Sequence, residues 1–518
     1  RPLRLVGTWL YLDRYWGIER QIAADLQAIS RRRPGFVRDD LLAEGLTRLF
    51  PGQPGSRQSL AAASAVLQRL AVIAGGPGTG KTTTVARIVA LLGEQAVAAG
   101  VRMPLVALAA PTGKAAARLQ ESVHQEAGEL AVATPIRELL LGLQASTLHR
   151  LLGWRPGSYS RFRHDRNQRL PHDVVIVDET SMVSLSLMAR LLEAVRPEAR
   201  LVLVGDPGQL TSIEAGAVLG DIVGPAADRL LIRAASRSRL AEATGQPVSG
   251  DDPPAGVSIG DGIVVLDTPH RFGAGIGRLA AAIRCGDEEA VLELLSAPPE
   301  DVAWVPVDAA EADAEAALAP VRAVALATAR TVVQAAREGR AAEAIAALRT
   351  FRILCAHRRG PQGVASWTLG TEGWLEASVE GFSAQDRWYV GRPLLVTEND
   401  YELGLHNGDT GVIVQSGPDR VSAGFERGSA TVEYSPARLS AIETVYAMTI
   451  HKSQGSQFDT AAVLLPAPDS RILTRELIYT AVTRARSQVI VVGTEEMIRT
   501  GVRRPVARAS GLLRRLWN

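Results

Sequence analysis

Residues 75–82 read Gly-Gly-Pro-Gly-Thr-Gly-Lys-Thr, between the apolar run Leu70–Ala74 and the helix-compatible stretch Thr83–Leu92. A glycine-rich turn joining a buried strand to a helix presents successive backbone N–H groups at a helix N-terminus, an arrangement that suits phosphate oxygens. In such a loop Lys81 reaches the β and γ phosphates of ATP and the Thr82 hydroxyl holds Mg2+. Gly75, Gly76, Pro77, Gly78, Thr79, Gly80 and Thr83 complete the cradle. No other segment narrows the fold so far, because the loop requires a strand and a helix packed against a parallel α/β sheet.

The flanking text fits that requirement. From Gln58 to about 225, short β-rich runs (LAVIAGG, PLVALAAPTG, DVVIVDE, RLVLVGD) alternate with amphipathic helical stretches. Each strand ends in Gly, Thr or Asp, and ligands of open α/β sheets bind at the carboxyl ends of strands, so these loops should converge. A second α/β region is expected over 263–518, with strands at FRILCAH, DTAAVLLP and SQVIVVG. Short strands separated by Asn-Asp and Asn-Gly-Asp turns interrupt it over about 385–441, as in an inserted small β-barrel. Residues 1–55 form a leader that ends at PGQPGS; Trp9, Leu12 and Trp16 fall at helical spacing, predicting a small N-terminal helical domain.

At 518 residues the chain exceeds one ordinary domain. The formal charge of +2 is too small for a global field that attracts nucleic acid, so any such affinity must come from local basic lines. Cys285 and Cys355 form no CxxC pattern, which argues against a zinc ribbon or a disulfide framework and predicts buried thiols. No apolar run is long enough to span a bilayer, and a cytoplasmic location is expected. Of 57 basic residues only Lys81, Lys114 and Lys452 are lysine, a bias of the kind GC-rich coding produces. All three lie in Gly- or Thr-containing segments where a compact ammonium differs from a planar guanidinium.

Val174–Val177 ends in Asp178-Glu179. Asp178 can support the Mg2+ shell and Glu179 can polarise the attacking water as general base, although such a pair alone would equally suit a solvated strand end. Leu203-Val204-Gly205-Asp206-Pro207-Gly208-Gln209 places the Gln209 amide after a turn where it could sense a γ-phosphate. Gln58, seventeen residues before Gly75, could read the adenine edge.

Together with Ala110-Pro111-Thr112-Gly113-Lys114, Thr147-Leu148-His149-Arg150 and Asp178-Glu179-Thr180-Ser181-Met182, this ordered set resembles motifs I to III of superfamily 1 helicases. Thr268-Pro269-His270-Arg271-Phe272, Thr449-Ile450-His451-Lys452-Ser453-Gln454-Gly455 and Tyr479-Thr480-Ala481-Val482-Thr483-Arg484 resemble motifs IV to VI. THRLLG, DETSM, IHKSQGSQF and the LYLDRYW leader are most similar to RecD subunits of exodeoxyribonuclease V, the RecBCD complex. That resemblance implies two RecA-like P-loop NTPase domains, over 56–262 and 263–518, with a hairpin inserted at about 153–172 and an SH3-like insertion in the second.

It further implies an ATP-dependent 5′ to 3′ translocase and helicase on single-stranded DNA, working in double-strand break repair with RecB-like and RecC-like subunits, another chain carrying the nuclease. Arg271 and Arg484 match the arginines that reach the γ-phosphate across an interdomain cleft. Thr112, Lys114, His149, Thr449, His451 and Lys452 match positions that grip the strand through phosphate contacts without sequence information. Arg161–Arg169 matches the inserted hairpin, though a solvated basic loop would read the same. Gln457 departs from the family's usual Glu, which bears on ribose recognition or coupling there. A stand-alone RecD-like helicase and a nucleotide-gated regulatory scaffold are the competing readings.

Overall fold

The computed structural model describes residues 2–35, 37–52, 55–155, 162–211, 216–268, 273–311, 314–400, 402–418, 420–428, 430–506 and 510–518. The chain divides into two compact units. One comprises Arg1–Pro207, Thr211–His270 and Arg508–Asn518; the other comprises Gly208–Leu210 and Arg271–Ala507.

The first unit opens with a hairpin, β1 (Leu3–Val6) and β2 (Trp9–Leu12), followed by the helix Asp13–Ser30. The helical spacing of Trp9, Leu12 and Trp16 is therefore not realised. Gly7, at φ 59°, with Thr8 forms a two-residue turn between two alternating runs, and a hairpin satisfies that pattern better than a helix. Pairing of Leu3 with Leu12 and of Leu5 with Leu10 gathers four leucines on one face, between 51% and 70% exposed. The opposite face carries Arg4, Val6, Trp9 and Tyr11. Arg4 stacks over Trp16 at 3.8 Å, and Arg514 over Trp9 at 5.4 Å.

Six parallel strands follow: β3 (Leu70–Gly75), β4 (Val106–Ala110), β5 (Ala145–Thr147), β6 (Val174–Val177), β7 (Arg200–Gly205) and β8 (Ile263–Leu266). They lie in the order β5-β4-β6-β7-β3-β8. A parallel sheet must be covered on both faces, and alternation along β7 shows how. Val202 and Val204 join a core with Ile73, Ile88 and Leu91, whereas Leu201 and Leu203 join another with Leu70, Val72 and Met188.

Residues 1–55 have no core of their own. Ile22, Leu26 and Ile29 belong to the second of these cores, and Leu42, Leu46 and Leu49 to the first. The expected separate helical domain is thus part of the first unit. The expected boundary at 262/263 also moves, because β8 pairs with β3 and completes the first sheet. At the far end, the helix Leu512–Trp517 returns to the first unit. Leu512, Leu516 and Trp517 are buried against its core, and the Trp517 indole donates to Ile222 O at 3.2 Å.

The second unit contains β9 (Val302–Val305) and β10 (Phe351–Cys355), then an antiparallel insertion of β11 (Pro393–Val396), β12 (Thr410–Gly417), β13 (Arg420–Arg427), β14 (Ala430–Tyr434) and β15 (Ile442–Thr444). It ends with β16 (Ala447–Thr449), β17 (Phe458–Leu464) and β18 (Ala485–Val492). The parallel sheet runs β16-β10-β17-β18-β9 and the inserted sheet β14-β13-β12-β11-β15. The insertion, expected as a small β-barrel, is a five-stranded antiparallel sheet in which, among the described residues, no ladder joins β14 to β15.

Cys355 is buried in β10, its thiol pushed up to about 12 by burial, whereas Cys285, expected to be buried, is exposed. Among the described residues no helix is long and apolar enough to cross a membrane.

Candidate nucleotide and nucleic-acid sites

In the first unit, parallel pairing brings the sequence motifs to one edge. Ala74 of β3 lies opposite Gly205 of β7, Gly75 opposite Leu266 of β8, and Val177 of β6 opposite Leu203 of β7. The loops that follow these strands therefore leave the sheet at its carboxyl end, where open α/β sheets bind ligands.

The loop after β3 takes the shape its glycines allow. Gly78 and Gly80 have φ of 78° and 80°, a left-handed conformation that a Cβ disfavours. Gly80 caps the helix Lys81–Ala98, whose free N–H groups and dipole favour an anion. The Lys81 ammonium donates to the carbonyls of Gly75 at 2.7 Å and Gly76 at 2.8 Å, and so lies folded against the loop it is expected to serve. The Gln58 amide donates to Thr79 O at 3.0 Å, tying the preceding helix Arg57–Leu67 to the same loop.

Asp178 leaves β6 buried, with its carboxylate accepting from Glu179 N–H at 2.8 Å. Burial foremost, then the Glu179 charge, pushes its carboxyl up to about 7, against the pull of the Lys81 ammonium. A carboxylate so disfavoured is stabilised by an added cation. Asp178 and the Thr82 hydroxyl are the oxygen donors expected for Mg2+, an ion that rarely uses an all-protein cage.

Glu179 is the one non-glycine residue with positive φ among those described, at φ 50° and ψ 39°. Such a conformation costs roughly 1 kcal/mol and turns Glu179 away from the line of β6. Gly205 leaves room for this turn: a Cβ there would lie 3.1 Å from Thr180 N and 2.7 Å from the Leu219 side chain.

The positions expected to grip DNA divide between the units. In the first, the Thr112 hydroxyl accepts from Ala115 N–H at 3.2 Å and caps the helix Gly113–Glu129. Lys114 lies in the first turn of that helix. The exposed His149 has its ring 5.9 Å from that of Phe162, and partial desolvation lowers its pKa so that the neutral imidazole is favoured. In the second, the Thr449 hydroxyl accepts from Lys452 N–H at 3.2 Å, and the Lys452 ammonium pairs with Glu443 at 2.7 Å. His451 lies in the turn after β16.

Arg484 is buried, donating to the carbonyls of Thr480 at 3.0 Å and Ser456 at 3.4 Å. Gln209, also buried, belongs to the short peptide Gly208–Leu210 that clusters with the second unit. There Leu210 N–H donates to the Thr480 hydroxyl at 2.8 Å and the Gln454 amide donates to Leu210 O at 2.7 Å. Gln457 accepts from the Arg486 guanidinium at 3.1 Å. Arg271 lies outside the described residues, as does part of the hairpin expected at 153–172, whose flanks meet in a Trp154–Phe162 bridge.

The motif reading missed a cavity of about 190 Å³ beside the P-loop, lined by Ser56, Arg57, Gln58, Thr79, Leu266, Asp267 and Thr268. The sequence motifs include Gln58, Thr79 and Thr268; Asp267, the carboxylate that follows the apolar strand β8, was the unused signal.

Comparison with known proteins agrees with this geometry. The AAA domain model matches residues 58–215, and the UvrD-like helicase C-terminal domain model matches residues 444–492. The RecBCD enzyme subunit RecD of Mycolicibacterium smegmatis is 51% identical over 99% of this chain and 83% of its own. That of Haemophilus influenzae is 34% identical over 97% and 79%. The ATP-dependent RecD2 DNA helicase of Deinococcus radiodurans is 29% identical over 86% of this chain but only 50% of its own. Among solved structures, Pif1 helicase from Candida albicans covers 93% of this chain and 99% of its own at 14% identity and a TM-score of 0.41, too loose a likeness to carry residue assignments. With 51% identity to a relative over 99% of this chain and 83% of that relative, the chain belongs to the RecD family of RecBCD enzyme subunits.

Proposed function

We propose that this chain is the ATP-dependent DNA helicase subunit of a RecBCD-type helicase-nuclease and moves 5′ to 3′ along single-stranded DNA. The observation that carries the reading is the meeting of Lys81, folded on a glycine cradle, with the buried carboxylate of Asp178 at one sheet edge. The subunit reading is favoured over a stand-alone helicase by coverage: 83% of the Mycolicibacterium subunit is matched, but only half of the Deinococcus helicase.

In this account Lys81 holds the β and γ phosphates while Thr82 and Asp178 carry Mg2+, which neutralises charge developing on the phosphates. Glu179, swung off the strand by its left-handed backbone, takes the proton of the attacking water. Gln209 senses the γ-phosphate, and Arg271 and Arg484 stabilise its transition-state charge. Thr112, Lys114, His149, Thr449, His451 and Lys452 hold DNA by its phosphates.

The leucine face of the β1–β2 hairpin is the surface offered to RecB-like and RecC-like subunits, in a cytoplasmic heterotrimer. The hairpin's four exposed leucines form an apolar patch of the kind that marks a protein interface.

The test is ATP hydrolysis with and without single-stranded DNA. A motor is stimulated by DNA; a nucleotide-gated scaffold hydrolyses ATP at the same rate whether DNA is present or absent, and that result would replace this reading.

A further inference from the structure

The cavity beside the P-loop has a chemistry that the phosphate cradle does not explain. Because Gly75 pairs with Leu266, the chain leaving β8 must pass beside the start of the P-loop, and it does so as Asp267-Thr268. From the opposite side the helix Arg57–Leu67 brings Arg57 and Gln58. One N–H of Gln58 is committed to Thr79 O, which fixes that wall to the loop holding the phosphates. A base attached to phosphates in the cradle therefore has this pocket as its neighbour, within the first unit.

The polar groups on its rim are unequal. Asp267 Oδ2 lies 3.7 Å from Arg57 Nε, and the Thr268 hydroxyl donates to Asp267 Oδ1 at 3.1 Å. Both ion-pair partners are partly open to solvent, 36% for Arg57 and 64% for Asp267, so the pair holds little energy and the carboxylate can exchange water or Arg57 for a ligand. An ionised carboxylate only accepts hydrogen bonds. It favours a ring edge bearing N–H donors and opposes one bearing only lone pairs, while the flat Arg57 guanidinium can lie against a ring face.

We propose that Asp267 is a specificity-determining residue of the nucleotide site. Its carboxylate accepts from an amino or ring N–H of a purine, so the chain selects aminopurine triphosphates over a purine triphosphate whose base has no such donor. This rests on the ATPase reading above and deepens it, since a polar site that loses its partner discriminates more strongly than an apolar wall.

The test uses the full chain and equilibrium displacement of a fluorescent ATP analogue, comparing ATP with purine riboside 5′-triphosphate, which lacks the 6-amino group. Wild type is expected to prefer ATP by about three- to tenfold, the scale of one charge-assisted hydrogen bond at a carboxylate that water can still reach. Asp267→Ala should remove most of that preference by weakening ATP alone, and Asp267→Asn, which keeps a carbonyl acceptor, should restore part of it. An unchanged preference in Asp267→Ala, or equal weakening of both nucleotides, overturns the proposal while the ATPase reading stands. Should Asp267→Ala fail to fold, Asp267→Asn decides alone: it must lie between wild type and no preference. If wild type displaces with neither nucleotide, the nucleotide reading falls and the proposal with it.

Discussion

In the proposed mechanism one lysine and two carboxylates carry distinct loads, and each can be removed separately. Lys81→Gln takes away the cation that meets the phosphates and should lower DNA-stimulated ATP hydrolysis by about 10²-fold or more. Glu179→Gln keeps the volume and the hydrogen-bonding capacity but loses the base. It should cut kcat by about 10²- to 10⁴-fold while ATP binding, read by fluorescent displacement, stays near wild type. A large loss of ATP affinity in Glu179→Gln would instead assign that residue to binding. The glycine-rich loop around Lys81 was legible in the sequence because strand, turn and helix are contiguous there, so local spacing already carries its geometry. Asp267 and Arg57 were not: they are far apart in the chain, and only the placement of β8 beside β3 joins them. The left-handed backbone of Glu179 was equally hidden, since nothing in Asp-Glu announces a positive φ.

Among the elements, the parallel strands were readable as apolar runs ending in Gly or Asp, whereas the two ends of the chain were not. The leader supports helical spacing and strand alternation at once, and the Gly7-Thr8 turn settles it as a hairpin. The docking of Leu512–Trp517 is a long-range contact with no local signature. It brings Ser510 and Gly511 against the buried carboxylate of Glu19, which accepts from Gly511 N–H at 3.0 Å. Nearby Asp221 is pushed up to about 6, chiefly by burial, with a hydrogen bond from Ser510 opposing and the Glu19 charge adding. For a carboxyl whose folded pKa is raised, the folded chain binds the extra proton. The contribution is therefore full below about pH 4 and lost as pH rises through about 6. Asp221→Asn should match wild type near pH 4 and be more stable at pH 8, by up to about 3 kcal/mol, in thermal denaturation at the two pH values. Equal stability at both would show that Asp221 titrates normally.

For the molecule as a whole, the doubling of the α/β pattern was legible, and so was the interruption of the second half. Its limits were not, because β8 and the C-terminal helix belong to the first unit despite their place in the sequence. Assembly is tested apart from chemistry by placing charge on the leucine face of the hairpin. Leu5→Glu with Leu10→Glu should abolish copurification with RecB-like and RecC-like chains and leave the ATPase of the isolated subunit unchanged, since neither side chain lines the nucleotide site. Retained copurification would move the interface elsewhere. The central claim is that ATP turnover at Lys81 drives directed movement on DNA. The most direct measurement is unwinding of a duplex bearing a 5′ single-stranded tail against one bearing a 3′ tail, with wild type and Lys81→Gln, alone and with copurifying partners. The account predicts unwinding from the 5′ tail that disappears in Lys81→Gln; no unwinding in either context, or unwinding that survives loss of Lys81 in the isolated chain, would contradict it.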